Sequence, residues 1–266
     1  RRRIPMAEVI LEVRENVAHL TLNRPEAANA LNLEMAMALE AAALKCEEDP
    51  NIRAVLMTGA GKLFCGGGDL KSFAAQPAEE LPGHLKKVTM YLHTAIQRFA
   101  RMKAPLVIAV NGNAGGAGLS LALIGDITLA GEATRFTVAY TRIGLTPDGS
   151  SSYYLPRLVG LKRAMELMLT NRAVTAREAE AMGMITRVVP DADLLNQAGA
   201  IARELAQGPT QAFGGVKRLL YASSNNPLYE QMEVETAIIA DMSRTADARE
   251  GIASFLGKRA PKFSGK

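Results

Sequence analysis

The stretch 111–123, NGNAGGAGLSLAL, follows the apolar run 105–110, PLVIAV, and its glycines decide how the chain is read. Gly112, Gly115, Gly116 and Gly118 stand where a buried strand should turn into a helix. Glycine loses more backbone freedom on folding than any other residue, so such a cluster needs a cause. Either a second backbone packs closely there, or a ligand takes bare N–H groups at the start of the helix.

Upstream of this corner, VAHLTLN at 17–23 alternates apolar and polar residues, the period of a half-buried strand. Residues 29–49 carry good helix formers and a broad apolar face, and IRAVLMTGA at 52–60 reads as the next strand. In 84–102, Leu85, Val88, Leu92, Ile96 and Phe99 form one helical stripe. A third strand is expected over 104–112, a short buried helix over 118–125 and a fourth strand over 126–131. Repeated strand–helix–strand units predict an α/β fold with largely parallel pairing. After about residue 155 the period is helical throughout, at 161–171, 175–183, 194–208, 211–223 and 228–245, punctuated by glycine or proline. A helical tail on an α/β core suits packing against a partner subunit.

Composition narrows the classes of function. The 266 residues carry a formal charge of +4, with no basic stripe interleaved with aromatics, which argues against nucleic acid as a partner. No apolar run approaches the ~18 residues that span a membrane, so a soluble, cytoplasmic protein with no membrane partner is expected. Cys46 and Cys65 are too few for a disulfide framework and read as small buried hydrophobes. The opening arginines precede Met6, which reads as a native start, so residues 1–5 are expected to lie outside the fold.

Neither phosphate-binding motif survives inspection of the glycine-rich stretches. In TGAGKLFCGGGDLKS (58–72), Lys62 is followed by Leu63 where a phosphate loop needs Ser or Thr, and Phe64 occupies the place of the third dinucleotide-fold glycine. At 116–121 Leu121 takes that place. A different geometry fits: two strand-to-helix corners, each offering one backbone N–H to a single anionic oxygen. Tight corners whose glycines merely allow packing fit the same residues.

LNRPEAANALN, FCGGGDLKSF and VNGNAGGAGLSLALIGDITLAGEATRF together resemble the crotonase superfamily of enoyl-CoA hydratases and isomerases. RIGLTPDGSSSYYLPRLVG and SFLGKRAPKF continue the match in order, so the likeness covers the chain after Met6. It implies a crotonase-like α/β spiral of ββα turns at 6–205, holding an acyl-CoA site. Residues 206–266 would form a helical region for oligomerisation and CoA contact, in a homotrimer or a dimer of trimers. It also implies two backbone donors to the thioester oxygen, which fall at Gly68 and Ala117, with Gly116 keeping side chains away. CoA contacts fall at Glu26, Ala28, Gly66, Leu70 and Lys71, with Phe255 and Lys258 reaching a neighbouring subunit. Coenzyme A is then part of the substrate, and no separate cofactor or metal is implied.

The paired glutamates of the hydratases fall at Ser120 and Tyr140, neither of which can share the addition of water between two carboxylates. Asp148, in LTPDGSSS, matches the single aspartate of family isomerases, with burial expected to raise its pKa. As part of an Asp-Gly pair it is equally an ordinary turn residue. Residues 162–190 also resemble 4-chlorobenzoyl-CoA dehalogenases, whose nucleophilic aspartate falls at Asp148 and whose water-activating histidine falls at His93. There the tryptophan of those enzymes is replaced by Tyr140. His93 itself sits at the edge of the apolar stripe, about 100° round the helix from its centre, where a packing or surface role is the default. Double-bond isomerisation by Asp148 is the leading expectation. Dehalogenation, hydration and a catalytically silent acyl-CoA binder are the alternatives.

Overall fold

The computed structural model describes residues 3–6, as backbone, and 8–266. Three antiparallel strands come first, β1 (Arg3–Met6), β2 (Val9–Arg14) and β3 (Val17–Leu22). Glu15 and Asn16, both at positive φ, make the tight turn between β2 and β3, a conformation that matches strand twist. Residues 3–5 therefore belong to the sheet, correcting the expectation that they lie outside the fold.

Helix α1 (Leu33–Glu48) returns the chain to β4 (Ala54–Gly59), which lies parallel to β3. Two helices, α2 (Leu70–Ala74) and α3 (Leu81–Arg101), lead to β5 (Leu106–Val110). A two-residue strand β6 (Ala114–Gly115) and helix α4 (Ala117–Leu123) then lead to β7 (Ile127–Gly131). The pairing β3–β4–β5–β7 is parallel throughout, as the alternating strand and helix periods predict. The expected helix 29–49 begins only at Leu33. Asn32 caps it, its side chain accepting from the Met35 N–H at 2.8 Å, while Leu31 bridges to Gly68 instead of coiling.

Beyond β8 (Arg135–Thr137), α5 (Ser151–Val159) and α6 (Leu161–Thr170), the tail departs from the all-helical reading. It contributes β9 (Val174–Thr175) to a small sheet with β6 and β8. After α7 (Ala176–Ala181) it adds β10 (Arg187–Val189) to the edge of the main sheet, parallel to β7. Two or three residues are too few to display a strand period, which is why the helical signal on either side hid them.

Helices α8 (Leu194–Ala206), α9 (Thr210–Ser223), α10 (Leu228–Ser243) and α11 (Ala246–Leu256) complete the chain. Leu194, Ala198, Ala202 and Ala206 of α8 cover the back of the sheet at Val17, Ala54, Val107 and Leu129. The opposite face packs on α1 and α3, where Val88, Leu92, Ala95, Ile96 and Phe99 are buried along the expected stripe. Lys217 ties α9 to this core, donating to the Phe99 carbonyl at 3.0 Å and to Asp126 at 2.7 Å. Among the described residues, no helix is long and apolar enough to cross a membrane.

The glycines that raised the first question have two separate causes. A Cβ on Gly112 would run into the Lys62 carbonyl, and one on Gly118 into the Cys65 carbonyl, so these two exist for backbone packing. Gly116 has φ +49, which L side chains avoid, and it turns the chain into α4. Gly118→Ala should therefore destabilise the protein by at least the ~1–3 kcal/mol typical of overpacking, because the obstacle is backbone and cannot rotate aside. Thermal melting against wild type checks this; an unchanged midpoint would mean that the two segments are not pressed together.

Candidate active site

One buried side chain organises the loops at the ends of β3 and β4. Asn29 is fully buried, and its amide donates to the carbonyls of Ala60, Leu63 and Phe64 at 2.9, 2.8 and 3.1 Å. Its own Oδ1 accepts from the Arg24 N–H at 2.9 Å, and its φ of +52 lies in the left-handed region that asparagine tolerates. Arg24 reaches across to Asp69 at 3.0 Å, and Asp69 caps α2 through the N–H groups of Lys71 and Ser72. Burial pushes the Asp69 carboxyl up, but its hydrogen bonds to Ser72 and Arg24 and the Arg24 charge outweigh that and hold it below the ordinary range. The sequence reading assigned nothing to Arg24, Asn29 or Asp69. Asn29 opens the stretch 29–49 expected to be helical, so its role leaves no local signal.

This framework presents Gly68 from one side, while the α4 corner presents Ala117 from the other. The two segments meet directly: Cys65 bridges to Ala114, and the Gly115 N–H donates to the Cys65 carbonyl at 3.0 Å. Among the described residues, no hydrogen-bond partner takes the main-chain N–H of Gly68 or of Ala117. Both residues line a cavity of about 230 Å³. Its other walls are mostly apolar, with Leu31, Phe73, Leu85, Val88, Leu92, Leu145 and Pro147, and its polar groups include Tyr140 and Asp148.

Asp148 arrives on a strained loop. Gly149 and Ser150 follow it with φ of +62 and +71, and the buried Ser150 hydroxyl has no partner among the described residues. Such strain persists only where the surroundings over-determine it. Here they do, through the Asp148 main-chain carbonyl, which has only two lone pairs. Ser120 donates to it at 2.7 Å, Ser151 Oγ at 3.0 Å, Tyr140 OH at 3.2 Å and the Ser151 N–H at 3.3 Å. Ser120 is fully buried behind the cavity wall, whereas Tyr140 lines the cavity itself. Burial drives the Tyr140 phenol well above its ordinary pKa, so it stays a neutral donor.

The Asp148 carboxylate meets His93, whose Nε2 lies 2.7 Å from Oδ1. The packing role taken as default for His93 is thus replaced by a specific polar contact. The expected rise of the Asp148 pKa is corrected too. Burial does push it up, but the His93 hydrogen bond, the Gly149 N–H and the His93 charge together pull it below the usual carboxylate range. His93 moves the other way, raised by its hydrogen bond to Asp148 against a smaller lowering from burial.

The residues expected around CoA fall into two groups. Ala28 and Gly66 adjoin, the Gly66 N–H donating to the Ala28 carbonyl at 2.8 Å, with Glu26 exposed beside them and exposed Leu70 and Lys71 opening α2. Phe255 and Lys258 lie apart, exposed at the end of α11 and outside the cavity lining.

An enoyl-CoA hydratase/isomerase family model matches residues 12–266. A 1,2-epoxyphenylacetyl-CoA isomerase from Escherichia coli K12 is 40% identical over 98% of this chain and 100% of its own length. A 4-chlorobenzoyl coenzyme A dehalogenase from an Arthrobacter species is 36% identical over 94% of this chain and 91% of its own. The crystal structure of an enoyl-CoA hydratase from Polaromonas sp. JS666 superposes with a TM-score of 0.91 at 32% identity, covering 96% of this chain and 99% of that one.

The opposite shifts of the pair set its pH dependence. The raised His93 pKa stabilises the fold fully below its unfolded value and ceases to do so as pH rises through the folded one. The lowered Asp148 pKa stabilises above its unfolded value and ceases as pH falls through the folded one. The pair therefore supports the fold between the two titrations. By side-chain NMR, His93 should titrate above the ordinary 6.5 in wild type and below it in Asp148→Asn, where burial alone remains. Identical midpoints would show that the two side chains do not interact in solution.

Proposed function

The chain belongs to the enoyl-CoA hydratase/isomerase family, and on that premise we propose that it shifts a carbon–carbon double bond within an acyl-CoA ester. The carrying observation is the meeting, in one apolar cavity, of two uncommitted N–H groups and an ionised carboxylate. The N–H groups of Gly68 and Ala117 hold the thioester oxygen. Asp148 takes a proton from the carbon next to the carbonyl, and the electron pair moves onto that oxygen as an enolate conjugated with the double bond. Return of the same proton from Asp148 to the far end of the conjugated system completes the shift, with no atom gained or lost. Two such donors matter because removing one elsewhere costs about 3–4 kcal/mol of transition-state stabilisation.

His93 keeps Asp148 ionised over a wide pH range, and the loop hydroxyls keep the carboxylate aimed. Ser120 and Tyr140, at the positions of the hydratase glutamates, give the cavity no second carboxylate among its described lining residues, which favours isomerisation over hydration. Glu26, Ala28, Gly66, Leu70 and Lys71 would hold the CoA portion near its entrance, with Phe255 and Lys258 serving the site of a neighbouring subunit in a homotrimer.

The 2.7 Å contact between His93 and Asp148 also favours a second reading. In it Asp148 attacks the halogen-bearing carbon of an aroyl-CoA and expels halide, and water activated by His93 then cleaves the resulting ester. Asp148→Asn should lower isomerisation of a β,γ-enoyl-CoA by two to four orders of magnitude, the usual weight of a general acid–base group, while leaving CoA-ester binding intact. Full activity in this variant would remove Asp148 from the chemistry. Chloride release from 4-chlorobenzoyl-CoA that disappears in His93→Ala would replace the isomerase reading with the second one.

A further inference from the structure

The cavity also carries information about the acyl group. We infer that it is built for a compact, ring-sized acyl group, and that Phe73 is the residue that sets this limit; the inference rests on the acyl-CoA reading of the same site. An apolar cavity of ~150 Å³ is enough to hold benzene. The 230 Å³ here accommodates a six-membered ring and a short link to the carbonyl.

The walls fix where that ring lies. Phe73 sits directly over Gly68: a Cβ on Gly68 would come 2.7 Å from its Cε2 and 3.0 Å from its Cζ. The aromatic ring thus stands beside the residue whose N–H faces the thioester oxygen, so bulk on the acyl group meets it within the first few carbons. The main chain of Phe73 is held in α2. Its N–H donates to the Asp69 carbonyl at 3.0 Å inside the short capped helix α2. Its ring packs edge-on against His84, with centroids 6.0 Å apart and planes at 69°. Leu85, Val88 and Leu92, from successive turns of α3, add an apolar face to the same lining. A flat ring fills the space that Phe73, Leu85, Val88 and Leu92 line, and a long chain would have to reach beyond it.

The test uses equilibrium binding of saturated, unreactive thioesters, so it does not depend on catalysis by Asp148. Phenylacetyl-CoA should bind wild type at least about tenfold more tightly than dodecanoyl-CoA, a factor that corresponds to one decade in Kd. Phe73→Ala should erase or invert that preference by opening the wall. Val88→Phe, which fills the cavity instead, should weaken phenylacetyl-CoA far more than acetyl-CoA, and keeps the inference testable if Phe73→Ala folds poorly. Equal binding of phenylacetyl- and dodecanoyl-CoA by wild type would overturn the size limit. An unchanged preference in folded Phe73→Ala would remove Phe73 as its cause. Failure of every CoA ester to bind would instead strike the acyl-CoA reading itself.

Discussion

Everything at this site depends on two backbones touching with no side chain between them. The segment from Cys65 to Gly68 lies against the one from Asn113 to Gly118, joined by the Cys65 and Gly115 N–H groups and by the Cys65–Ala114 bridge. Because Gly118 lacks a Cβ, the helix can begin within contact of the Cys65 carbonyl. That approach sets the separation and direction of the Gly68 and Ala117 amides more rigidly than flexible side chains would, since peptide groups have few soft degrees of freedom. A preorganised pair of donors needs no rearrangement when charge develops on an oxygen between them. Cys65 is spent on this contact: it is fully buried, and its thiol is pushed up to about 12 chiefly by desolvation, which disfavours the nucleophilic thiolate.

The parallel core was legible because each of its strands and helices buries a face, and burial writes a period into the sequence. Val88, Leu92, Ile96 and Phe99 repeat at helical spacing for that reason. β10 left no such trace, for its three residues are held by pairing with Leu129, Ala130 and Gly131 rather than by a face of their own. The glycine corners were legible as a feature but ambiguous in cause. Close backbone packing accounts for Gly112 and Gly118, while Gly116 answers to a third cause, its φ of +49. What no local pattern encodes is the meeting of distant polar groups. His93 and Asp148 are 55 residues apart, Asn29 bonds carbonyls more than thirty residues away, and Arg24 reaches Asp69 across the fold. The resemblance to the dehalogenases named Asp148 and His93 together as nucleophile and water activator, but the hydrogen bond between them is visible only in the fold.

That contact also explains why burial was a poor guide to the charge on Asp148. Desolvation disfavours a carboxylate, and from the apolar neighbours Leu145 and Pro147 a raised pKa followed naturally. The same carboxylate accepts from His93 and from the Gly149 N–H, and these hydrogen bonds outweigh the desolvation. The result is a carboxylate that is ionised in advance and holds a proton less tightly than an isolated one.

The crowding at the Asp148 main-chain oxygen has a consequence for how the loop tolerates change. Four donors compete for an acceptor with room for two, so the anchorage is redundant. Loss of any one hydroxyl leaves the oxygen fully served, and the strained turn at Gly149 and Ser150 keeps its restraint. Sequence drift at positions 120, 140 and 151 is thereby buffered one residue at a time, and the aim of the carboxylate fails only when the substitutions accumulate.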